Sequence, residues 1–395
     1  MSEMSSRYSS VGELGNSLKN VQIHPPPKST SSTHNHIHNY NPVKNKLIQT
    51  KLPFSIPPTS NPIPAIASPQ GDSTIPTEEP ENDSIQYQHR FSSSYFNDSQ
   101  WLGIRIQRKQ KHTARIWGQN INGIKRTNNF LNFAECLEAL TQYEIDHFSF
   151  SETNLNSKNS YVKDSIEAVT RNVLPSSRHI MSSTIGLSTH EPFQFGGTMS
   201  LSMGLLSSRV ASMGQDKYGR YSWIQYFGKK HHLRIYNVYR PCKQTDNSSG
   251  NQTVWQQHRS ALMDDGITLD PRKQILNSLA MHIREDVAKK RQVIVIGDFN
   301  ENIFDAKLND FFRSIDLQNA IALYIDSDIQ ARSYFRGKTI IDGIWSTIIA
   351  QDSICSIGLA PFYFVLPSDH RAIYCDIDIK HLLDDNTQLI SPAPY

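Results

Sequence analysis

The chain has 395 residues, of which 37% are hydrophobic and 19% charged, with a formal net charge of +3 at pH 7. That length suits one large domain or two ordinary ones, and so small a net charge gives no global attraction to a polyanion. No run of about 18 apolar residues occurs, so no membrane span is expected, and the polar start MSEMSSRYSS has no apolar core of the kind a secretory signal needs.

Cys136, Cys242, Cys355 and Cys375 are scattered without a close pair. Neither a zinc ribbon nor a disulfide framework is expected, and a reducing compartment fits best.

Residues 1–95 are rich in Pro, Ser, Asn and His and show no apolar periodicity, so they are expected to be a disordered tail. The HNHIH run (His34, His36, His38) is a weak pointer to metal. Residues 96–112 are expected to be a basic linker. The RIQRKQKHTAR stretch reads equally as a phosphate contact or nuclear-import signal and as a solvated lead-in. The folded domain is expected over 113–380, followed by a short tail, 381–395.

Within that domain TARIWGQNI reads as a strand broken at Asn122-Gly123, a turn dipeptide. NFLNFAECLEALTQYE places Phe130, Phe133, Ala134, Leu137 and Leu140 on one helical face. IDHFSFSE is a strand, SYVKDSIEAVTRNVL a helix, and HIMSST, GGTMSLSM, RYSWIQYF and HLRIYNVYR are extended. KQTDNSSGNQTVWQQHRSALMDDGI reads as a surface insertion with a short helix. DPRKQILNSLAMHIREDVAKK is a helix with Asp270 placed to cap it and Pro271 in its first turn. VIVIGDFN, a helix near AKLNDFFRSI, then TIIDGIWS, DSICSIGLA and HRAIYCDIDI complete an α/β domain.

Polar residues gather at the strand ends. Asp298 and Asn300 lie two apart in VIVIGDFN and so share a side. A strand-end turn explains them equally well. Asn120, Glu152, Tyr239 and the Ser368-Asp369-His370 run have similar bland explanations one at a time. Asp342 does not, because it shares a strand face with Ile340 and Ile344. A buried carboxylate without a partner costs several kcal/mol or more, and a His is the natural partner. Together these groups form the inventory of a metal-assisted phosphodiesterase.

Six stretches in order, QNING, SET, NVYRP, GDFNEN, IIDGIW and PSDHRAI, resemble the endonuclease/exonuclease/phosphatase superfamily. This is the DNase I-like family, and the resemblance is greatest to the apurinic-type endonuclease domains of non-LTR retrotransposons. It implies a two-sheet α/β sandwich with flanking helices in four layers. It also implies a Mg²⁺-dependent endonuclease, with Mn²⁺ as a substitute, that nicks duplex DNA to leave a 3′-hydroxyl. Carried over by motif, Glu152, Asn120 and Asp369 would be metal ligands. Asn120, Tyr239, Asn300, Ser333 and Ser368 would contact the substrate. Asp298 and Asn300 would position the attacking water, Tyr239 would bond the scissile phosphate, and His370, held by Asp342, would act on the phosphate. A nuclear monomer is expected, with no reverse transcriptase in the 25 residues after His370. The sequence departs from many relatives at Gly343, where they carry a bulky aromatic, and in a longer interval between Tyr239 and GDFN. A phosphoesterase for small esters or lipid headgroups, and an inactive nucleic-acid-binding remnant, are the competing readings.

Overall fold

The computed structural model describes residues 98–184, 188–243 and 253–383. The N-terminal tail with HNHIH, part of the insertion and the residues after 383 lie outside this range. In chain order the strands are β1 (Leu102–Gly103), β2 (Thr113–Asn120), β3 (His147–Ser151), β4 (Arg178–Ser182), β5 (Thr198–Ser202) and β6 (Val210–Gln215). There follow β7 (Tyr221–Tyr226), β8 (Leu233–Tyr239), β9 (Gln292–Asp298), β10 (Gln318–Asn319), β11 (Asp342–Ser346), β12 (Ile354–Leu359) and β13 (Ile373–Asp378). The helices are α1 (Leu131–Thr141), α2 (Ser160–Val173), α3 (Gly204–Ser207), α4 (Val254–Asp264), α5 (Pro271–Ala288), α6 (Ala306–Arg313), α7 (Ile348–Asp352) and α8 (Ile379–Leu383). None of the described helices is long and apolar enough to cross a membrane.

A seven-stranded sheet, ordered β1-β12-β13-β2-β3-β5-β4, faces a six-stranded sheet ordered β10-β11-β9-β8-β7-β6. Each sheet has one parallel pair at its centre, β2 with β3 and β8 with β9; the other neighbours are antiparallel. Phe133 and Leu137 of α1 and Val162 and Ile166 of α2 pack with Trp117, Phe148 and Phe150 on the outside of the larger sheet. Ile275, Leu279 and Ile283 of α5 and Leu308 and Phe312 of α6 join the core that includes Val293, Val295 and Trp345 of the smaller sheet. This is the four-layer sandwich that the resemblance implied.

Local chemistry accounts for the long elements. Asp270 accepts the Arg272 and Lys273 backbone N–H groups at 2.9 and 3.2 Å, and Pro271 opens α5, as expected for an N-cap followed by a proline that needs no donor. All of β9 is buried, which suits its run of β-branched residues. The expected boundary at 113 is too late, because β1 pairs with β12 and Trp101 packs on Tyr374 and Phe364. A two-residue strand carries no periodicity, so composition alone marked it as linker. Likewise the last helix runs to Leu383, past the expected end at 380.

The two sheets come unusually close at one point. A Cβ on Gly118 would lie 2.6 Å from Ile296 Cδ1, so only glycine lets β2 settle on β9 there. Gly118→Ala is expected to cost about 1–3 kcal/mol through overpacking and to push the β2 tip away from the β9 tip. Denaturant unfolding checks this; an unchanged stability would mean that the sheets do not touch at this point. Gly343 has a different reason. A Cβ there would sit 2.4 Å from Trp345 Cζ3, so the indole two residues along occupies the space over this face.

Where β3 and β5 face β7 and β8, the interface between the sheets carries a polar seam within an otherwise largely aliphatic core. His147, Ser149 and Ser151 of β3 pair with Ser202, Ser200 and Thr198 of β5, and all six are buried. Across the gap Ser222 of β7 bonds Thr198 and Ser200 at 3.0 and 2.9 Å. His147 Nδ1 meets the Tyr226 hydroxyl at 2.6 Å, and Asn237 of β8 donates to the Phe150 and Met199 carbonyls. Burial pushes the His147 pKa down to about 3, so the ring is neutral at pH 7.

Candidate active site

The strand directions bring one end of both sheets together. β2, β3, β8 and β9 all finish there, while β11 begins there and β13 begins just after His370. In register, Tyr239 lies beside Asp298 and Asp298 beside Asp342, while Asn120 pairs with Ser151, one residue before Glu152. Two tip residues, Glu152 (φ +55°) and Asn300 (φ +47°), adopt left-handed backbone, which is uncommon outside glycine and typical of turns that re-aim a side chain.

Asn120 bridges the sheets. Its Nδ2 donates to Glu152 Oε2 at 2.8 Å and to Asp298 Oδ2 at 2.9 Å, while its Oδ1 accepts the Asn122 N–H at 2.9 Å. Both amide hydrogens are thus committed to carboxylates and the oxygen to backbone. In this arrangement Asn120, expected as a metal ligand, clamps the two acids. Asp298 is fully buried, and its Oδ1 also accepts the Asn300 N–H at 2.8 Å. Burial, and then the charge of Asp342, raise its pKa well above the ordinary carboxylate range.

His370 and Asp342 form the expected pair, with Nδ1 3.0 Å from Asp342 Oδ2. The other ring nitrogen, Nε2, faces Asp298 Oδ2 at 4.0 Å. Burial alone would lower the His370 pKa; Asp342 by charge and hydrogen bond, then Asp298 and Asp369 by charge, outweigh it and raise the value to about 10. The ring is therefore imidazolium at pH 7. Burial, then the charges of Glu152 and Asp298, raise the Tyr239 pKa well above 10, so its hydroxyl keeps its proton and bonds Glu152.

Ser333 and Ser368, expected to contact substrate, are bonded to backbone groups of the site. Ser333 Oγ accepts the Ile341 and Asp342 N–H groups at 2.8 and 3.1 Å, and the residue is fully buried. Ser368 Oγ donates to the Asn120 carbonyl at 2.5 Å and accepts the His370 N–H at 3.0 Å. Asn300 Nδ2 is similarly occupied, by the Arg240 carbonyl at 2.8 Å and Asp298 Oδ2 at 3.2 Å. Asp369 is half-buried and its carbonyl accepts the Phe335 N–H at 2.8 Å.

Sequence reasoning missed Gln119, whose Nε2 donates to the His370 carbonyl at 3.0 Å, and Tyr334, whose ring lies 4.9 Å from the imidazole. Gln119 was legible as part of QNING; Tyr334 carried no signal beyond standing next to Ser333.

Among the described residues, Asp298, Asp342 and His370 have ligand atoms within 4.8 Å of one another. His370 Nδ1 is already bonded to Asp342 there, so this trio reads more naturally as a proton relay than as a cation cage. Glu152 Oε2 and Asp298 Oδ2 both accept from Asn120 Nδ2, which brings near one another two carboxylates of the kind a hard divalent cation takes as ligands.

No family model matches the chain, and no curated protein sequence does. Solved structures resemble it at low identity. The AP endonuclease LMAP from Leishmania major has a TM-score of 0.49 and 11% identity, covering 70% of this chain and 92% of its own. The APE2 catalytic domain of Xenopus laevis has a TM-score of 0.47 and 13% identity, covering 66% and 90%. The endonuclease domain of TRAS1, a telomere-specific non-LTR retrotransposon, has a TM-score of 0.41 and 13% identity, covering 67% and 98%. The layer order and strand order described above give this chain a two-sheet α/β sandwich with flanking helices.

Proposed function

We propose that the chain is a Mg²⁺-dependent endonuclease that hydrolyses a DNA phosphodiester bond and leaves a 3′-hydroxyl. The observation that carries this reading is the Asp298–His370–Asp342 relay beside the Asn120–Glu152 clamp at one end of the sandwich. Mg²⁺, or Mn²⁺ in its place, would be held by Glu152 with Asp298 or Asp369 nearby, and would polarise a phosphate oxygen as a Lewis acid. Asp298, its pKa raised toward neutrality by burial and Asp342, is suited to take a proton from the attacking water. The His370 imidazolium offers Nε2–H to a phosphate oxygen as negative charge builds on it, and Tyr239, protonated, offers a second donor. Asn120 and Asn300 keep Glu152 and Asp298 in place.

The retrotransposon origin and the nuclear location belong to the same proposal and rest on the motif resemblance. Net charge near zero favours a second reading, hydrolysis of small phosphate esters. Nicking of supercoiled plasmid by purified protein, with and without EDTA, tests the choice. Metal-dependent nicking that is lost in Glu152→Ala and in His370→Ala is the expected result. A folded wild type that releases phosphate from small esters and leaves plasmid intact would overturn the DNA reading.

A further inference from the structure

Behind Asn300 lies a charged cluster, two of whose members, Arg240 and Glu301, stand in the NVYRP and GDFNEN stretches. Arg240 follows Tyr239 at the tip of β8, Glu301 follows Asn300 beyond β9, and Arg272 sits in the first turn of α5. Glu301 Oε2 accepts from Arg240 Nη1 and, at 2.9 Å, from Arg272 Nη2. The two guanidinium side chains are only 8% and 6% exposed. One carboxylate therefore holds two buried cations together.

The same residues carry the backbone bonds that finish the site. The Arg240 N–H donates to the Asp298 carbonyl at 2.9 Å, and the Arg240 carbonyl accepts Asn300 Nδ2 at 2.8 Å. Arg272 Nη2 donates to the Asn300 carbonyl at 3.1 Å, and its Nη1 donates to the Pro241 carbonyl. Arg240 Nε in turn donates to the Arg272 carbonyl at 3.2 Å. The β8–β9 ladder ends at the Tyr239–Asp298 pair, so past that point these side chains do the work that strand pairing does elsewhere. They do it where Asn300 must hold left-handed backbone.

We infer that Glu301 and Arg272 are positioning residues for Asn300 and Asp298, forming a clamp that fixes the tips of β8 and β9 and the N-terminus of α5 against one another. The inference rests on the proposed nuclease reading for its effect on rate, and on geometry alone for its effect on the tip. Without Glu301, two buried guanidiniums face each other with only the weaker charge of Asp270 to oppose them. Their repulsion would open the tip, and a displacement of about 1 Å at a reacting group costs on the order of 100-fold in rate.

The test compares Glu301→Gln, Arg272→Gln and the double variant for plasmid nicking, with backbone hydrogen exchange measured on the same samples. Each single variant is expected to lower kcat about 10- to 100-fold, with KM within about twofold of wild type. The double variant should fall no further than the worse single, since the two act as one unit. Exchange should quicken at Phe299–Asn302 and stay unchanged in α1 and α2. A raised KM with kcat intact would mean that the arginines touch substrate, and would overturn the inference. So would losses that multiply, or exchange that quickens throughout the domain. A wild type that cuts no DNA would fail the nuclease reading, and the exchange result would then decide the clamp by itself: unchanged protection at Phe299–Asn302 would overturn it.

Discussion

On the proposed nuclease reading, Asp342→Asn is expected to lower nicking by about 100- to 1,000-fold, the scale of weakening one donor that stabilises charge at the reacting group. Asp342 Oδ2 lies 3.0 Å from His370 Nδ1, and both side chains are nearly buried. The amide removes the largest of the contributions that outweigh burial, so the His370 pKa falls. An amide that donates to Nδ1 holds the ring neutral, so Nε2–H remains but without the imidazolium charge. His370→Ala should cost a similar amount, and the double variant no more than either single. Initial nicking rates of the three variants decide it; losses that multiply would show that the pair does not act together. A pH effect accompanies the rate effect. A His whose folded pKa is raised contributes stability that is fully present below its unfolded pKa, near 6.5, and is lost as pH rises through the folded value of about 10. In EDTA the thermal midpoint should therefore fall across that window in the wild type and hold nearly level in Asp342→Asn.

Trp345→Ala carries the largest expected loss of stability, about 3–5 kcal/mol for a large aromatic truncated in a closed core. The indole is fully buried, stacks on Phe312 with centroids 4.3 Å apart, and meets Phe299 edge-on at 4.5 Å. Its Nε1 also donates to Asn309 Oδ1 at 3.3 Å. Phe299 stands between Asp298 and Asn300, so the cavity would loosen the segment that carries both. Urea unfolding should show the loss, and Trp345→Phe should recover more than half of it. A loss below about 1 kcal/mol would mean that neighbouring rings collapse into the space.

Much of the site was readable because its residues lie within short motifs at the ends of apolar runs. The run of β-branched residues in β9 marked a buried strand, and the tip residues Asp298 and Asn300 could be placed by counting in twos. Asp342 was legible through the cost of burying it. The supports were less so. Ser333 and Ser368 carry the right atoms for phosphate, and only three dimensions show those atoms turned to backbone N–H and carbonyl groups. Arg272 lies in a helix 28 positions before Asn300, and nothing local marks a long-range clamp. Among the strands, β6 escaped because its VASMGQ sequence is small and mostly exposed, and β1 and β10 because two residues have no period.

The hydroxyl seam between the sheets bears on how the site is assembled. Asn120 and Glu152 ride on one sheet, and Tyr239, Asp298 and Asn300 on the other, so the 2.9 Å bond from Asn120 to Asp298 spans two separate plates. Apolar surfaces would let those plates settle at several offsets with little change in energy. Thr198 and Ser200 meeting Ser222, and His147 meeting Tyr226, are satisfied at one offset only, and a slide of one residue would strand every one of them in the dark interior. The seam thus acts as a key between the plates. It gives up some of the stability that an aliphatic interface would provide, and in return it sets the alignment on which a site divided between two sheets depends.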